Sequence, residues 1–218
     1  QMLLPALFAV VLGVGIVVIG AGLLTRLPKL QAADGYATAG LFGAVSASTL
    51  AAAMVVLDEA EIPFEAWVPA LYPFMDLPAL LAAIVLAGVA KQRADGAAGE
   101  KIDFKGIVTD SLKSSAISAL LLGLALGLLT RPDSVVESFY DPLFRGLLSI
   151  LMLILGMEAW SRMAELAKVA HWYAVYAAIS PLVHGLAAFG LGYIAHVTTG
   201  FSPGGVVLLA VMAGSSSD

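Results

Sequence analysis

Apolar runs long enough to cross a lipid bilayer follow one another along almost the whole chain. A spanning helix needs about 20 such residues, because backbone N–H and C=O groups in the hydrocarbon core must bond within the chain. Seven runs meet or approach that length, and they cover residues 2–24, 36–57, 66–90, 112–130, 143–157, 172–195 and 204–218. The sequence therefore predicts an all-α polytopic membrane protein with about seven spans.

The composition agrees with a membrane protein and argues against several other classes. Only 12% of the residues are charged, whereas soluble domains average about a quarter. The chain has no cysteine, so disulfides, thiolate metal sites and cysteine nucleophiles are excluded. The net charge of −5 and the placement of basic residues in loops argue against a nucleic-acid partner. The crowding of serines described below suits ligation better than a single activated nucleophile, and we expect no enzyme.

Basic residues concentrate in alternate loops, and this pattern predicts an orientation. The first, third and fifth loops hold nine of the eleven lysines and arginines. By the positive-inside rule, the odd loops are cytoplasmic. The long hydrophilic loop at residues 91–110 is then cytoplasmic as well.

Two small polar patches interrupt apolar runs. They are Gly43-Ala44-Val45-Ser46-Ala47-Ser48-Thr49 in the second run and Gly214-Ser215-Ser216-Ser217-Asp218 in the seventh. Hydroxyls and a carboxylate at membrane depth are costly, and matched patches in two halves are typical of the discontinuous helices at transporter ligand sites. The simpler alternative is that small residues let helices pack closely, with hydroxyls bonded to the preceding turn.

The two patches have similar surroundings, which predicts an internal repeat. Ser46 follows Gly35 by eleven residues, and Ser215 follows Gly204 by eleven. Five crossings separate the patches, so the two halves are inverted in the membrane. We therefore expect an internal fragment of a five-plus-five inverted-repeat secondary transporter, with spans one, two, six and seven forming its mobile core.

The expected domain division follows from that repeat. Residues 1–90 are predicted to supply the last three spans of the first repeat, including the broken helix near residues 43–49. Residues 91–110 form the cytoplasmic loop. Residues 111–218 supply four spans of the second repeat, the last of them truncated at the break at residues 214–218.

The chemistry of broken helices suggests what the patches hold. A break exposes backbone N–H groups at one helix end and C=O groups at the other, so an anion and a cation can bind side by side. Neither patch contains lysine or arginine. An anion bound there needs another countercharge, which a co-bound Na⁺ would supply. We place this Na⁺ near Ser48 and Asp218.

Further polar side chains lie within or beside the predicted spans. Three prolines between residues 69 and 78 are expected to prevent a smooth helix, with Asp76 as the N-cap of a helix that begins at Ala79. The alternative is that Asp76 faces the substrate cavity. Glu65 is expected at the membrane interface. His184 either bonds a neighbouring helix or relays protons.

Several segments together resemble a known family. These are residues 41–49, 65–67, 70–76, 139–153, 156–162 and 215–218. They closely resemble the cyanobacterial sodium-dependent bicarbonate transporters, the SbtA family, and the likeness covers nearly the whole chain except the loop at residues 91–110.

The resemblance implies a function and a set of partners. The expected protein is a symporter that imports bicarbonate with Na⁺ by alternating access, as part of a carbon-concentrating mechanism. It is expected in the cell inner (plasma) membrane as a homotrimer with gate and core domains. A PII-like trimeric regulatory protein is expected on its cytoplasmic face. In this family the substrate lies at the two serine motifs, here residues 43–49 and 215–218, with Na⁺ as coupling ion and no other cofactor.

Two alternatives stay open at the sequence level. One is a sodium-coupled transporter of another small anion or carboxylate. The other is a non-transporting membrane anchor for a cytoplasmic signalling protein. Na⁺-dependent uptake of bicarbonate separates these possibilities.

Overall fold

The computed structural model describes residues 2–27, 32–95, 109, 113, 115–130, 133–166 and 171–216. All regular secondary structure in these residues is helical. Five helical stretches are long and apolar enough to cross a membrane, and two shorter apolar helices accompany them. The expected all-α polytopic architecture is confirmed.

The longer helices of the described chain are α1 (Leu3–Leu24), α2 (Ala32–Gly43), α3 (Ala47–Glu59), α4 (Tyr72–Asp95), α5 (Ser115–Thr130), α6 (Asp141–Leu166), α7 (His171–Thr199) and α8 (Pro203–Gly214). A 3₁₀ turn at Val68–Leu71 leads into α4. A short helix at Asp133–Val135 continues through a π-helical turn at Val136–Tyr140 into α6.

The second predicted span is broken where its serine patch begins. Helix α2 ends at Gly43, and α3 does not begin until Ala47. Ser46 has an extended backbone (φ −81°, ψ 115°), and its hydroxyl caps α3 by accepting the N–H of Thr49. An N-cap serine is among the strongest signals for a helix start, so the local sequence explains why the helix resumes here.

The third span differs from the sequence-based expectation. Helix α4 runs through Pro78 without ending, so Asp76 lies inside the helix and does not cap a helix beginning at Ala79. Pro73 lies in the first turn, where its missing N–H removes no intrahelical bond. Pro78 removes a single bond, and the packing of α4 against α1 and α2 holds the helix together across that gap.

The fifth span is longer than the predicted run at residues 143–157, because α6 continues to Leu166. Glu158 and Arg162 lie one turn apart and form an ion pair of 2.7 Å, which is compatible with a helix that extends beyond its apolar part. The guanidinium group of Arg145 lies 3.5 Å from the carboxylate of Glu59 in α3. Both members of that pair are largely exposed, so its contribution to stability is small.

Helices α1, α2, α3, α4, α7 and α8 form one packed body. Helix α1 packs against α2 and α4, α7 packs against α8, and further contacts join α1 to α7 and α8 to α3. No described side chain of α6 is buried, which places α6 at the edge of this body. The third span therefore packs with spans one, two, six and seven. The sequence predicts a group of only those four spans.

Close approach of α1, α2 and α4 depends on two glycines. A Cβ atom at Gly13 would collide with the carbonyl oxygen of Met75 in α4. A Cβ atom at Gly43 would collide with Val17 and lie 3.0 Å from the Gly13 carbonyl oxygen. Helices in lipid pack closely through such small residues, and this contact fixes the end of α2 where the break begins.

Replacing Gly13 with alanine should destabilise the protein. The added methyl group meets backbone rather than a flexible side chain, so we expect a loss of about 1–3 kcal/mol and a lower melting temperature in detergent. Gly22→Ala, on the same helix, is the matched control because a Cβ atom there has nothing within 4 Å. Equal melting temperatures for the two variants would contradict the proposed packing.

Candidate functional site

The two serine patches meet in the structure although they lie 169 residues apart. The backbone N–H of Ser46 donates to the hydroxyl oxygen of Ser215 at 3.0 Å. The Ser215 hydroxyl in turn donates to the carbonyl oxygen of Met212 at 2.7 Å. Ser46 and Ser215 are 8% and 6% exposed. A buried polar junction therefore joins the break after α2 to the end of α8.

Helices α2 and α8 share features that bring their ends to this junction. Each is twelve residues long and ends in glycine. Gly214 at the end of α8 lies close to α7, since a Cβ atom there would be 3.0 Å from the Pro181 carbonyl oxygen. Aligning the two helix ends matches Gly43 with Gly214, a register two residues away from the sequence comparison that matched Ser46 with Ser215.

Asp76 completes the first break from the side of α4. Its Oδ1 accepts the backbone N–H of Val45 at 3.0 Å, and the residue is only 5% exposed. Ala44 and Val45 are each 1% exposed. Asp76 therefore satisfies a backbone donor that α2 leaves unpaired when it ends, and it places a carboxylate next to the two serine patches.

Of the other predicted site residues, some lie in the junction, some are exposed, and two lie outside the described residues. Ser48 lies in the junction, with its hydroxyl oxygen 2.9 Å from that of Ser46. Ala47 and Thr49 are exposed, and Thr49 contributes its backbone N–H alone, to the Ser46 hydroxyl at 3.3 Å. Ser216 is partly exposed. Ser217 and Asp218 lie outside the described residues, so the placement of Na⁺ near Asp218 stays a prediction.

Three helix ends meet at the junction, and their dipoles have opposite signs. The carboxyl ends of α2 and α8 carry partial negative charge, whereas the amino end of α3 carries partial positive charge. Anions are favoured near the amino end and cations near the carboxyl ends. The site can thus hold two small ions of opposite charge.

The ligands available to a metal ion here are oxygens. No group of three or more His, Asp or Glu residues gathers within the described parts of the chain. A cation at the junction would rely on carbonyl and hydroxyl oxygens, and among the described residues Asp76 adds a buried carboxylate. Oxygen donors suit hard cations such as Na⁺ better than soft transition metals.

A separate cavity of about 510 Å³ lies between α1 and α7. Tyr176, Ser180 and His184 line it along one face of α7, and its other lining residues are apolar or glycine. The Nδ1 atom of His184 is buried and has no hydrogen-bond partner among the described residues. The Nδ1 atom of His184 therefore makes no bond to a neighbouring helix within the described part of the chain.

Glu65 and Ser202 form a contact that sequence reasoning missed. The Glu65 carboxylate accepts both the N–H and the hydroxyl of Ser202 at the start of α8, so Glu65 is not simply an interfacial side chain. Ser202 also lies between Gly200 and Gly204 in a Gly-x-Ser-x-Gly pattern, the spelling of a hydrolase nucleophile elbow, a match overlooked at the sequence level. Its hydroxyl caps α8 between two helices, whereas an elbow joins a strand to a helix. The pattern thus gives no support to an enzyme.

Comparison with protein families assigns the chain. The profile of the Na⁺-dependent bicarbonate transporter superfamily matches residues 1–218. The chain belongs to this superfamily. The comparison with curated proteins finds no match. For a member of the Na⁺-dependent bicarbonate transporter superfamily, a buried junction with one amino and two carboxyl helix ends offers complementary dipoles to a monovalent anion and a monovalent cation.

Replacing Asp76 with leucine should destabilise the protein, because the buried Val45 N–H then lacks its acceptor. An unpaired buried donor costs about 1–3 kcal/mol, so the melting temperature in detergent should fall. Asp76→Asn keeps an oxygen acceptor of nearly the same shape and is the matched control. If Asp76→Leu melts at the parental temperature, the bond to Val45 does not stabilise the break.

Proposed function

We propose that this protein is a symporter that imports bicarbonate together with Na⁺, and that both ions bind where the two serine patches meet. The observation that carries the proposal is the bond from the Ser46 N–H to the Ser215 hydroxyl. It brings together two polar helix ends that would each be costly if isolated in lipid. No catalytic step is part of this proposal.

The anion is proposed to lie at the amino end of α3. Backbone N–H groups and the hydroxyls of Ser46 and Ser48 are neutral donors, and they bind an anion of single charge without the cost of a buried lysine or arginine. The described residues place no basic side chain in contact with the junction. The countercharge therefore has to come with the substrate, which gives a physical reason for coupling to a cation.

The Na⁺ ion is proposed to lie between the carboxyl ends of α2 and α8, near Ser48 and Asp218. Asp76 supports a cation at this position because a buried carboxylate is unfavourable unless it is protonated or paired with positive charge. The partners that it has in the described chain are neutral. A bound Na⁺ supplies the missing positive charge and links occupancy of the two ion sites.

Transport is proposed to proceed by alternating access. The packed body of α1 to α4 with α7 and α8 would move against α5 and α6, which lie outside it. The equal length of α2 and α8 and their glycine ends support an inverted repeat, with residues 1–90 and 111–218 as parts of its two halves. This arrangement allows one site to face either side of the membrane by rocking of one unit against another.

The cellular setting is proposed from the resemblance given above. The protein would act in the inner membrane as a homotrimer, with the odd loops and residues 91–110 in the cytoplasm. It would supply bicarbonate to a carbon-concentrating mechanism, under control of a PII-like trimeric protein bound to the cytoplasmic face. Residues 96–108 and 110 of that loop lie outside the described residues.

Uptake by reconstituted vesicles tests the proposed activity. Vesicles containing the protein should accumulate labelled bicarbonate when Na⁺ is higher outside, and not when K⁺ replaces Na⁺. Accumulation of another small anion in place of bicarbonate would favour the alternative substrate. Absence of any Na⁺-dependent anion uptake would overturn the symporter proposal.

Removing a junction hydroxyl should weaken transport without preventing membrane insertion. Ser46→Ala and Ser215→Ala are each expected to lower Na⁺-dependent uptake roughly tenfold or more, since each removes a hydrogen bond at the ion site. Asp218→Ala should act in the same direction. Ser149→Ala is the control, because Ser149 lies on the exposed helix α6 and its hydroxyl donates to the carbonyl oxygen of Arg145 in the preceding turn. Parental uptake by the junction variants would show that the ions bind elsewhere.

A further inference from the structure

A second polar contact joins the two halves of the chain at the opposite end of α8. Glu65 lies in the loop after α3, and Ser202 caps the start of α8. One carboxylate oxygen of Glu65 accepts the Ser202 N–H at 2.9 Å. The other accepts the Ser202 hydroxyl at 2.5 Å. The same hydroxyl accepts the N–H of Gly205 at 3.0 Å, so Glu65 holds the residue that caps the helix.

Close packing around this contact limits its movement. A Cβ atom at Gly204 would lie 2.5 Å from the Pro63 carbonyl oxygen, and one at Gly205 would lie 3.0 Å from a carboxylate oxygen of Glu65. Trp67 stacks on Phe201 with ring centroids 5.5 Å apart, and Phe201 is fully buried. The loop after α3 and the start of α8 therefore form a fitted interface rather than a solvated surface contact.

The two contacts between α3 and α8 lie at opposite ends of both helices. Helix α8 runs from Ser202 at Glu65 to Ser215 at the junction, about 18 Å for twelve residues. Helix α3 starts at the junction with Ser46 and ends shortly before Glu65. A helix of this length behaves as a stiff rod, so release of one end tilts it and displaces the other.

We propose that Glu65 is a positioning residue. Its two hydrogen bonds to Ser202 fix α8, and so set the distance between the break after α2 and the end of α8, where the ions bind. The inference rests on the proposed function of the junction but names a residue far from it. A carboxylate suits the task because it accepts two hydrogen bonds at once and lies at the positive amino end of α8, where negative charge is favoured.

Cross-linking tests this positioning without any measurement of transport. The parent chain has no cysteine, so Ser46→Cys together with Ser215→Cys introduces the only two thiols. In otherwise parental protein the pair should form a disulfide rapidly on mild oxidation. Adding Glu65→Ala should slow this reaction roughly tenfold, since a small displacement separates groups that must come within bonding distance.

The controls identify the cause of any change in cross-linking. Glu65→Gln keeps an acceptor for the Ser202 N–H and should restore part of the rate. Glu61→Ala removes an exposed carboxylate from the same loop and should leave the rate parental. An unchanged rate in Glu65→Ala, or no cross-link in the otherwise parental pair, would overturn the proposal.

Uptake kinetics give a second test, in the cysteine-free protein. Glu65→Ala should raise the KM for bicarbonate roughly tenfold while the amount of folded protein in the membrane stays constant. Because Glu65 acts through Ser202, the double variant Glu65→Ala with Ser202→Ala should be no worse than the more impaired single variant. Additive losses, or a lower rate that only follows a loss of folded protein, would contradict positioning. Failure of the proposed function is distinct, since it removes Na⁺-dependent uptake from the parent.

Discussion

A helix that stops at membrane depth must find partners for the backbone groups that its missing turns would have satisfied, and the structure depends on how this chain meets that requirement. At the first break the Val45 N–H bonds to Asp76 and the Ser46 N–H bonds to Ser215. These partners come from α4 and from the end of α8. The bonds that satisfy these backbone groups therefore also join distant parts of the chain at one buried point.

Close packing converts those bonds into a defined geometry. Gly13 and Gly43 let α1, α2 and α4 approach so closely that a Cβ atom at either position would collide with a neighbouring helix. Gly214 likewise allows close packing of α8 against α7. Helix α6 lies at the edge of this body, with no buried side chain among its described residues, and meets α3 through the exposed pair of Arg145 and Glu59. Both breaks thus lie in one stiff body, and α5 and α6 lie outside it. A rocking movement requires such a division into two units.

The sequence predicted the features that depend on local chemistry and missed those that depend on distant partners. Ser46 is an N-cap residue beside small residues, so the break near residues 43–49 was predictable. The course of α4 through Pro78 was not predictable in this way. Proline removes a hydrogen bond inside a helix, but the sequence does not show the neighbouring helices that support α4 there. Likewise, the bond between Ser202 and Glu65 has no local signal in the sequence, because the two residues lie 137 positions apart.

If an anion and a cation share the junction, each stabilises the other, and equilibrium binding measures this coupling. The Kd of the purified protein for labelled bicarbonate should be measured across a range of Na⁺ concentrations at constant ionic strength. We expect Na⁺ to lower this Kd by about 5- to 150-fold, the usual range of coupling between two sites, and we expect Asp76→Asn to reduce the effect. A Kd that is independent of Na⁺ would show that the two ions do not share this site.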